Sequence, residues 1–107
     1  MAWAEYWNPQ DNPNLLLEVD DQTFLQQVRA LEFHHGEVSR NPYHLRLLGW
    51  YMDTVRRGSE WLSDKGAPSA PMLMGQLYRL EKWENGRAKK SGHGSWATGA
   101  SDLTDWL

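Results

Sequence analysis

The chain has 107 residues, a length that allows one modest hydrophobic core and predicts a single domain. It contains no cysteine, which excludes disulfides, thiolate nucleophiles and cysteine-based zinc sites. The formal net charge of −3 argues against nucleic acid as a partner. Neither a secretory signal nor an apolar run of membrane-spanning length is visible, so the sequence predicts a cytoplasmic protein without a membrane segment.

The first third of the chain predicts an arm, a strand and a helix. Residues 1–14 are rich in Pro, Asn and aromatic side chains and predict an irregular arm. Leu15–Val19 is a short apolar run, typical of a buried strand. Asp20 and Asp21 then predict the start of a helix, because acidic side chains cap helix N-termini. Apolar residues follow at helical spacing until Gly36, which predicts the end of this helix.

A second helix is predicted over residues 42–62. Asn41 is a good N-cap residue, and Pro42 is favoured at the first helical position. An apolar stripe at steps of three and four residues predicts the face that packs inward, and Trp50 and Trp61 are expected in the core with it. The stripe comprises Leu45, Leu48, Tyr51, Met52, Val55 and Leu62.

The remainder of the chain predicts a β-segment and a tail. Residues 63–71 have the composition of a loop, and Met72–Trp83 predicts a strand. Asn85–Gly86 is a hairpin turn signal, which predicts a short return strand over Arg87–Lys90. The Gly- and Ser-rich residues 91–101 are typical of a flexible linker.

Together these elements predict a small α+β fold with a short strand, two packed helices and a C-terminal β-segment. The domain is expected over residues 1–90, and residues 91–107 form a flexible linker and a terminal docking segment. Aromatic side chains in weakly patterned termini indicate segments that are held on this chain or on a partner, and both alternatives stay open. One helical turn near the C-terminus would align three apolar side chains. The candidates for partner docking are Trp3, Trp7, Leu103, Trp106 and Leu107.

Three of the four histidines lie at the corner between the two predicted helices. His34 and His35 are adjacent and would point about 100° apart on a helix, and neither HxxH nor HxxxH spacing occurs. The segment "GHGSWATG" matches neither a nucleophile elbow nor a dinucleotide-binding loop. The sequence therefore predicts no catalytic residue, no metal ligand and no cofactor. The candidates for a pocket wall or a helix corner are His34, His35, Glu37 and His44.

Four segments in chain order carry a family resemblance: "NPNLLLEVDD", "QQVRALEFHHGEV", "MDTVRRGSEWL" and "APMLMGQLYRLEKW". Together, from Tyr6 to about Trp83, they resemble the later part of the LmbE-like (PIG-L) family of metal-dependent sugar N-deacetylases. The family's helix typically reads K-x-x-A-L-x-x-H-x-S-Q. Within this pattern Ala30, Leu31 and His34 match, whereas Gly36 and Glu37 replace the Ser-Gln pair.

The resemblance implies the C-terminal, non-metal-binding part of such a deacetylase, a structural or substrate-pocket segment without catalysis of its own. The family's His-Pro-Asp-Asp and His-x-x-His-type motifs lie upstream of the matching part and do not occur in this chain. Only His34 is carried over, as a structural or pocket-lining position. The implied partner is then the N-terminal catalytic half of a metal-dependent amide hydrolase. The alternative is a small stand-alone protein-binding module, such as an inhibitor, an adaptor or an accessory subunit.

Overall fold

In the part of the chain that the structure describes, two strands are followed by three helices and then by three further strands. The computed structural model describes residues 1–5, 8–63, 66, 68–90, 95–99, 101 and 104. This part of the chain forms three helices and a five-stranded sheet in one small domain, so the predicted α+β class is confirmed. The elements are β1 Ala2–Ala4, β2 Leu15–Glu18, α1 Asp21–Glu32, α2 His35–Arg40, α3 Tyr43–Leu62, β3 Gly75–Glu84, β4 Arg87–Lys90 and β5 Ser95–Ala97.

The long strand β3 organises the sheet. β1 and β2 pair with it antiparallel on opposite sides, β4 returns antiparallel along its second half, and β5 lies parallel to β2. The register sets Leu16 opposite both Leu77 and Trp96. Because paired residues point to the same side of a sheet, these three side chains share one face.

Helix α3 packs closely on that face. Leu16 and Leu77 are fully buried and form the main core with Val55 and Ala70. At Gly58 a Cβ atom would stand 3.0 Å from Leu77 Cδ2 and 3.2 Å from Leu16 Cδ1. The helix can therefore lie this close to the sheet because position 58 has no side chain.

Helix α1 begins where the sequence predicts it. The carboxylate of Asp20 accepts a hydrogen bond from the backbone N–H of Thr23 at 2.7 Å, which lowers the pKa of Asp20 below its ordinary value. One turn later Phe24 packs against a second core cluster that joins α1, α3 and the sheet. The buried members of that cluster are Val19, Tyr51 and Met74.

The predicted end of the first helix is wrong by several residues, whereas the second helix begins within one residue of its predicted start and ends at Leu62 as predicted. α1 ends at Glu32, and Gly36 lies inside the short helix α2 rather than after a helix. Asn41 is the C-cap of α2 and has no side-chain capping bond to α3, which begins at Tyr43. The cause is Pro42, whose ψ of 65° is outside the helical range: it takes the N-cap position itself, and Asn41 then lies one residue too early to cap α3.

Two strands form in segments that were predicted to be irregular. β1 lies within the predicted arm, and β5 occupies three residues of the predicted linker. The fully buried Asn14 lies directly before β2, and its side chain hydrogen-bonds to the backbone of β3 as a neighbouring strand would. Its side chain donates to the carbonyl of Leu80 at 3.0 Å and accepts from the N–H of the same residue at 2.7 Å. Pairing with distant residues stabilises these short segments, and an apolar pattern does not reveal such pairing.

The hairpin between β3 and β4 is confirmed. Asn85 and Gly86 both have positive φ, at 52° and 71°, as a two-residue turn of type I′ requires. Asn and Gly both tolerate a positive φ, which explains why the Asn-Gly dipeptide predicts the turn.

The two tryptophans that were expected in the core of α3 are on the surface. Trp50 is 36% exposed and Trp61 is 56% exposed. Both lie on the flank of α3 turned away from the apolar stripe, so the expectation was wrong. None of the described helices is long and apolar enough to cross a membrane.

We expect opposite effects from alanine at two glycines of α3. Gly49→Ala should raise the free energy of unfolding by about 1 kcal/mol, because no atom lies within 4 Å of the new methyl group and alanine favours helix. Gly58→Ala should lower it by about 1–3 kcal/mol, because the methyl group meets two fully buried leucines. Urea denaturation of both variants measures the difference. Equal stability of the two would show that α3 does not lie this close to the sheet.

Candidate functional site

The predicted corner residues lie around the short helix α2. His34 is the residue before α2, and His35, Gly36 and Glu37 form its first turn, all exposed to solvent. The Glu37 carboxylate accepts from the Arg40 guanidinium one turn later, in an exposed ion pair. These side chains form a solvated helix corner, and none of them lines the groove of about 450 Å³ along α3.

His44 is separate from the other three candidates, in the first turn of α3. It is half-buried, and its Nδ1 atom makes no hydrogen bond within the described part of the chain. No group of three or more His, Asp or Glu side chains that could hold a metal ion occurs among the described residues.

A groove of about 450 Å³, here called the aromatic groove, runs along one flank of α3. Tyr43, Trp50 and Tyr51 contribute aromatic rings to it, and Arg46 is its exposed cation. Burial raises the pKa of Tyr51, whose hydroxyl donates to the Gln27 side chain. The remaining lining residues are Glu5, Leu31, Asn41, Leu47 and Gln76.

A buried ion pair closes one end of the aromatic groove. The Glu5 side chain is fully buried, and its two oxygens accept from Arg57 Nη1 at 2.8 Å and from Nη2 at 2.6 Å. The Gln10 backbone N–H donates to the same carboxylate at 2.8 Å. This carboxylate raises the pKa of the Arg57 guanidinium. Glu5 is the only acidic side chain among the described lining residues, and both of its carboxylate oxygens are engaged.

Sequence reasoning missed the residues of this groove. Tyr43, Leu47 and Trp50 follow one another at four- and three-residue steps, a spacing that indicates a second apolar flank on α3. The pairing of Glu5 with Arg57 spans 52 positions and has no local signal.

The opposite flank of α3 carries a row of uncovered apolar side chains, here called the leucine strip: Leu45, Leu48 and Met52. They are 73%, 40% and 45% exposed, although all three belong to the stripe that was expected to pack inward. Of the six stripe residues only Tyr51 and Val55 are buried. Three uncovered residues in one helical row form a continuous apolar surface, unlike the single exposed leucines that any protein carries.

Of the predicted docking residues, the structure describes only Trp3. It lies on β1, is about half exposed, and donates its indole N–H to a Glu81 carboxylate oxygen at 3.4 Å. Trp7, Leu103, Trp106 and Leu107 lie outside the described residues.

Comparisons with protein-family models, curated proteins and solved structures find no match for this chain.

We expect the ion pair at the groove to contribute strongly to stability. Glu5→Gln should lower the free energy of unfolding by about 2 kcal/mol, because it leaves Arg57 without its charged partner. That is below the cost of breaking a fully buried pair, since a fifth of the Arg57 side chain (20%) is exposed. Glu37→Gln is the matched control: it removes an ion pair with Arg40 of which both sides are exposed, and should cost less than about 0.5 kcal/mol. Similar losses in urea titrations of the two variants would contradict the assignment.

Proposed function

We propose that this chain is a non-catalytic protein-binding unit and that the leucine strip is where another protein docks. The observation that supports the proposal most directly is the uncovered apolar row on α3. Exposed apolar side chains cost free energy in water, and a contiguous row of them is typical of an interface. Side chains three and four residues apart on a helix lie in one row, and a partner helix or groove can contact such a row.

The chemistry of the described residues favours binding over turnover. The acidic side chain of the aromatic groove is fully paired, and the candidate histidines are spread along the helix corner. Hydrolysis needs a nucleophile or an activated water with a base within hydrogen-bond reach, and no such arrangement is found in the described part of the chain. An inhibitor, adaptor or accessory subunit needs no catalytic arrangement of this kind.

A second candidate function is the C-terminal part of a LmbE-like N-acetyl-sugar deacetylase. What favours it is the order of elements: the four segments of the resemblance coincide with β2, α1, the second half of α3 and β3. In this proposal the partner is the metal-binding half of the enzyme, which packs on the leucine strip. His34 then lies at a corner that the catalytic half can reach, because its side chain is exposed.

The two candidates share a first test. A photo-crosslinking amino acid at position 45 identifies the bound protein in the source cells, and its affinity for the purified chain is then measured by calorimetry. We expect Leu45→Ser with Leu48→Ser to weaken binding at least tenfold. Burying a leucine is worth about 1.5–3 kcal/mol, and tenfold in affinity corresponds to about 1.4 kcal/mol.

Lys89→Ser is the control, because Lys89 is exposed on the distant hairpin. The double variant should stay folded but melt somewhat below the unchanged chain, because serine favours helix less than leucine and Leu48 is only 40% exposed. Undiminished affinity of the double variant would refute the leucine strip as the interface. The identity of the partner then separates the candidates: a His-Pro-Asp-Asp protein whose complex with this chain deacetylates N-acetyl sugars favours the second.

A further inference from the structure

A second groove, of about 350 Å³, lies beside the leucine strip and is here called the methionine groove. Met52, Met72 and Leu73 form its apolar walls, and Val55 lies at its base. Leu73 is 61% exposed, so the groove is apolar and uncovered. Its rim is formed by Arg56, Ser59, Glu60, Gly66 and Ser69.

The methionine groove is on the side of the sheet where the chain ends. Arg57 on α3 contacts Glu5, which follows β1, whereas Met52 lies about 140° away around the helix. The sheet order β1-β3-β2-β5 puts β5 on the other side from β1. Trp96 of β5 and Met72 of the groove pack against the same core cluster. Strand β5 and the groove are therefore neighbours.

The chain leaves β5 close to this groove. The Gly99 backbone N–H donates to the Glu18 carboxylate at 3.2 Å, and Glu18 pairs with Gly75 in the sheet. The Sδ atom of Met72 lies 3.2 Å from where a Cβ on Gly75 would stand. A turn follows, in which the Ser101 N–H donates to the Thr98 carbonyl at 2.9 Å. The segment after Ser101 therefore leaves the sheet on the β5 side, the side on which the methionine groove lies.

We propose that the C-terminal segment 102–107, "DLTDWL", docks in the methionine groove of its own chain. As a helix the six residues span about 9 Å, so the segment has to dock close to where it leaves β5. One helical turn would align Leu103, Trp106 and Leu107 on one side, and such a turn forms in water only when it is held by tertiary contacts. Thr104, the described residue of this segment, is exposed and would lie on the flank of that turn, about 100° from Leu103.

Methionine methyl groups report on this docking without any partner. The four methionines give four signals in a spectrum of chain labelled at the methionine methyl carbon. In the unchanged chain we expect nuclear Overhauser contacts from the Trp106 ring to the methyls of Met52 and Met72. Trp106→Ala should remove the ring-current shift of these two signals. Met1 and the buried Met74, which belongs to the other core cluster, should keep theirs.

Leu73→Ser, which alters a groove wall, should shift the same two signals as Trp106→Ala, whereas Leu45→Ser on the leucine strip should leave the Trp106 contacts intact. The absence of contacts from Trp106 to either methyl overturns the proposal, as do contacts to Leu15 or Ala97 on the other face of the sheet. Shifts that appear only at high protein concentration also overturn it, because they indicate docking into a second copy. The result does not depend on the proposed function, since no partner is present in the sample.

Discussion

The close approach of α3 to β2 and β3 at Gly58 is the contact on which the rest of the structure depends. The missing side chain lets two fully buried leucines of the sheet lie against the helix backbone, 3.0 Å and 3.2 Å from a Cβ that is not there. Only one face of α3 packs on the sheet, where Tyr51, Thr54, Val55, Gly58 and Ser59 are buried. In a small domain the remaining surface of a 20-residue helix has nothing else to pack against.

The two flanks of α3 differ in what covers them. On the β1 side the Glu5–Arg57 ion pair fastens the N-terminal segment to the helix and closes the aromatic groove. On the β5 side the leucine strip and the methionine groove are uncovered in the described chain. The proposed partner and the proposed C-terminal docking both use the β5 side, the first at Leu45 and Leu48 and the second at Leu73. The two surfaces share Met52, so a partner confined to Leu45 and Leu48 leaves the docked C-terminal segment in place, whereas a partner that also covers Met52 contacts it.

What the sequence predicted correctly is local in origin. Asp20 caps α1 through a neighbour three residues away, and Asn85–Gly86 adopts its turn through its own dihedral preferences. The errors come from interactions that span the chain. β1 and β5 exist through pairing with β3 and β2, and the ion pair at the aromatic groove joins residues 52 positions apart. Asn41 is an intermediate case, because its cap-like identity was overridden by the proline that follows it.

The apolar stripe of α3 shows the same distinction. Helical spacing identified the helix and its apolar residues, but it does not tell which of them a partner element covers, and three of the six are exposed. That exposure is the central claim, and solvent paramagnetic relaxation of leucine methyl groups tests it most directly. With a soluble nitroxide, the methyl signals of Leu45 and Leu48 should broaden strongly, while those of Leu16 and Leu77 should persist. Equal protection of all four leucines would show that the strip is covered within the isolated chain and would contradict the account.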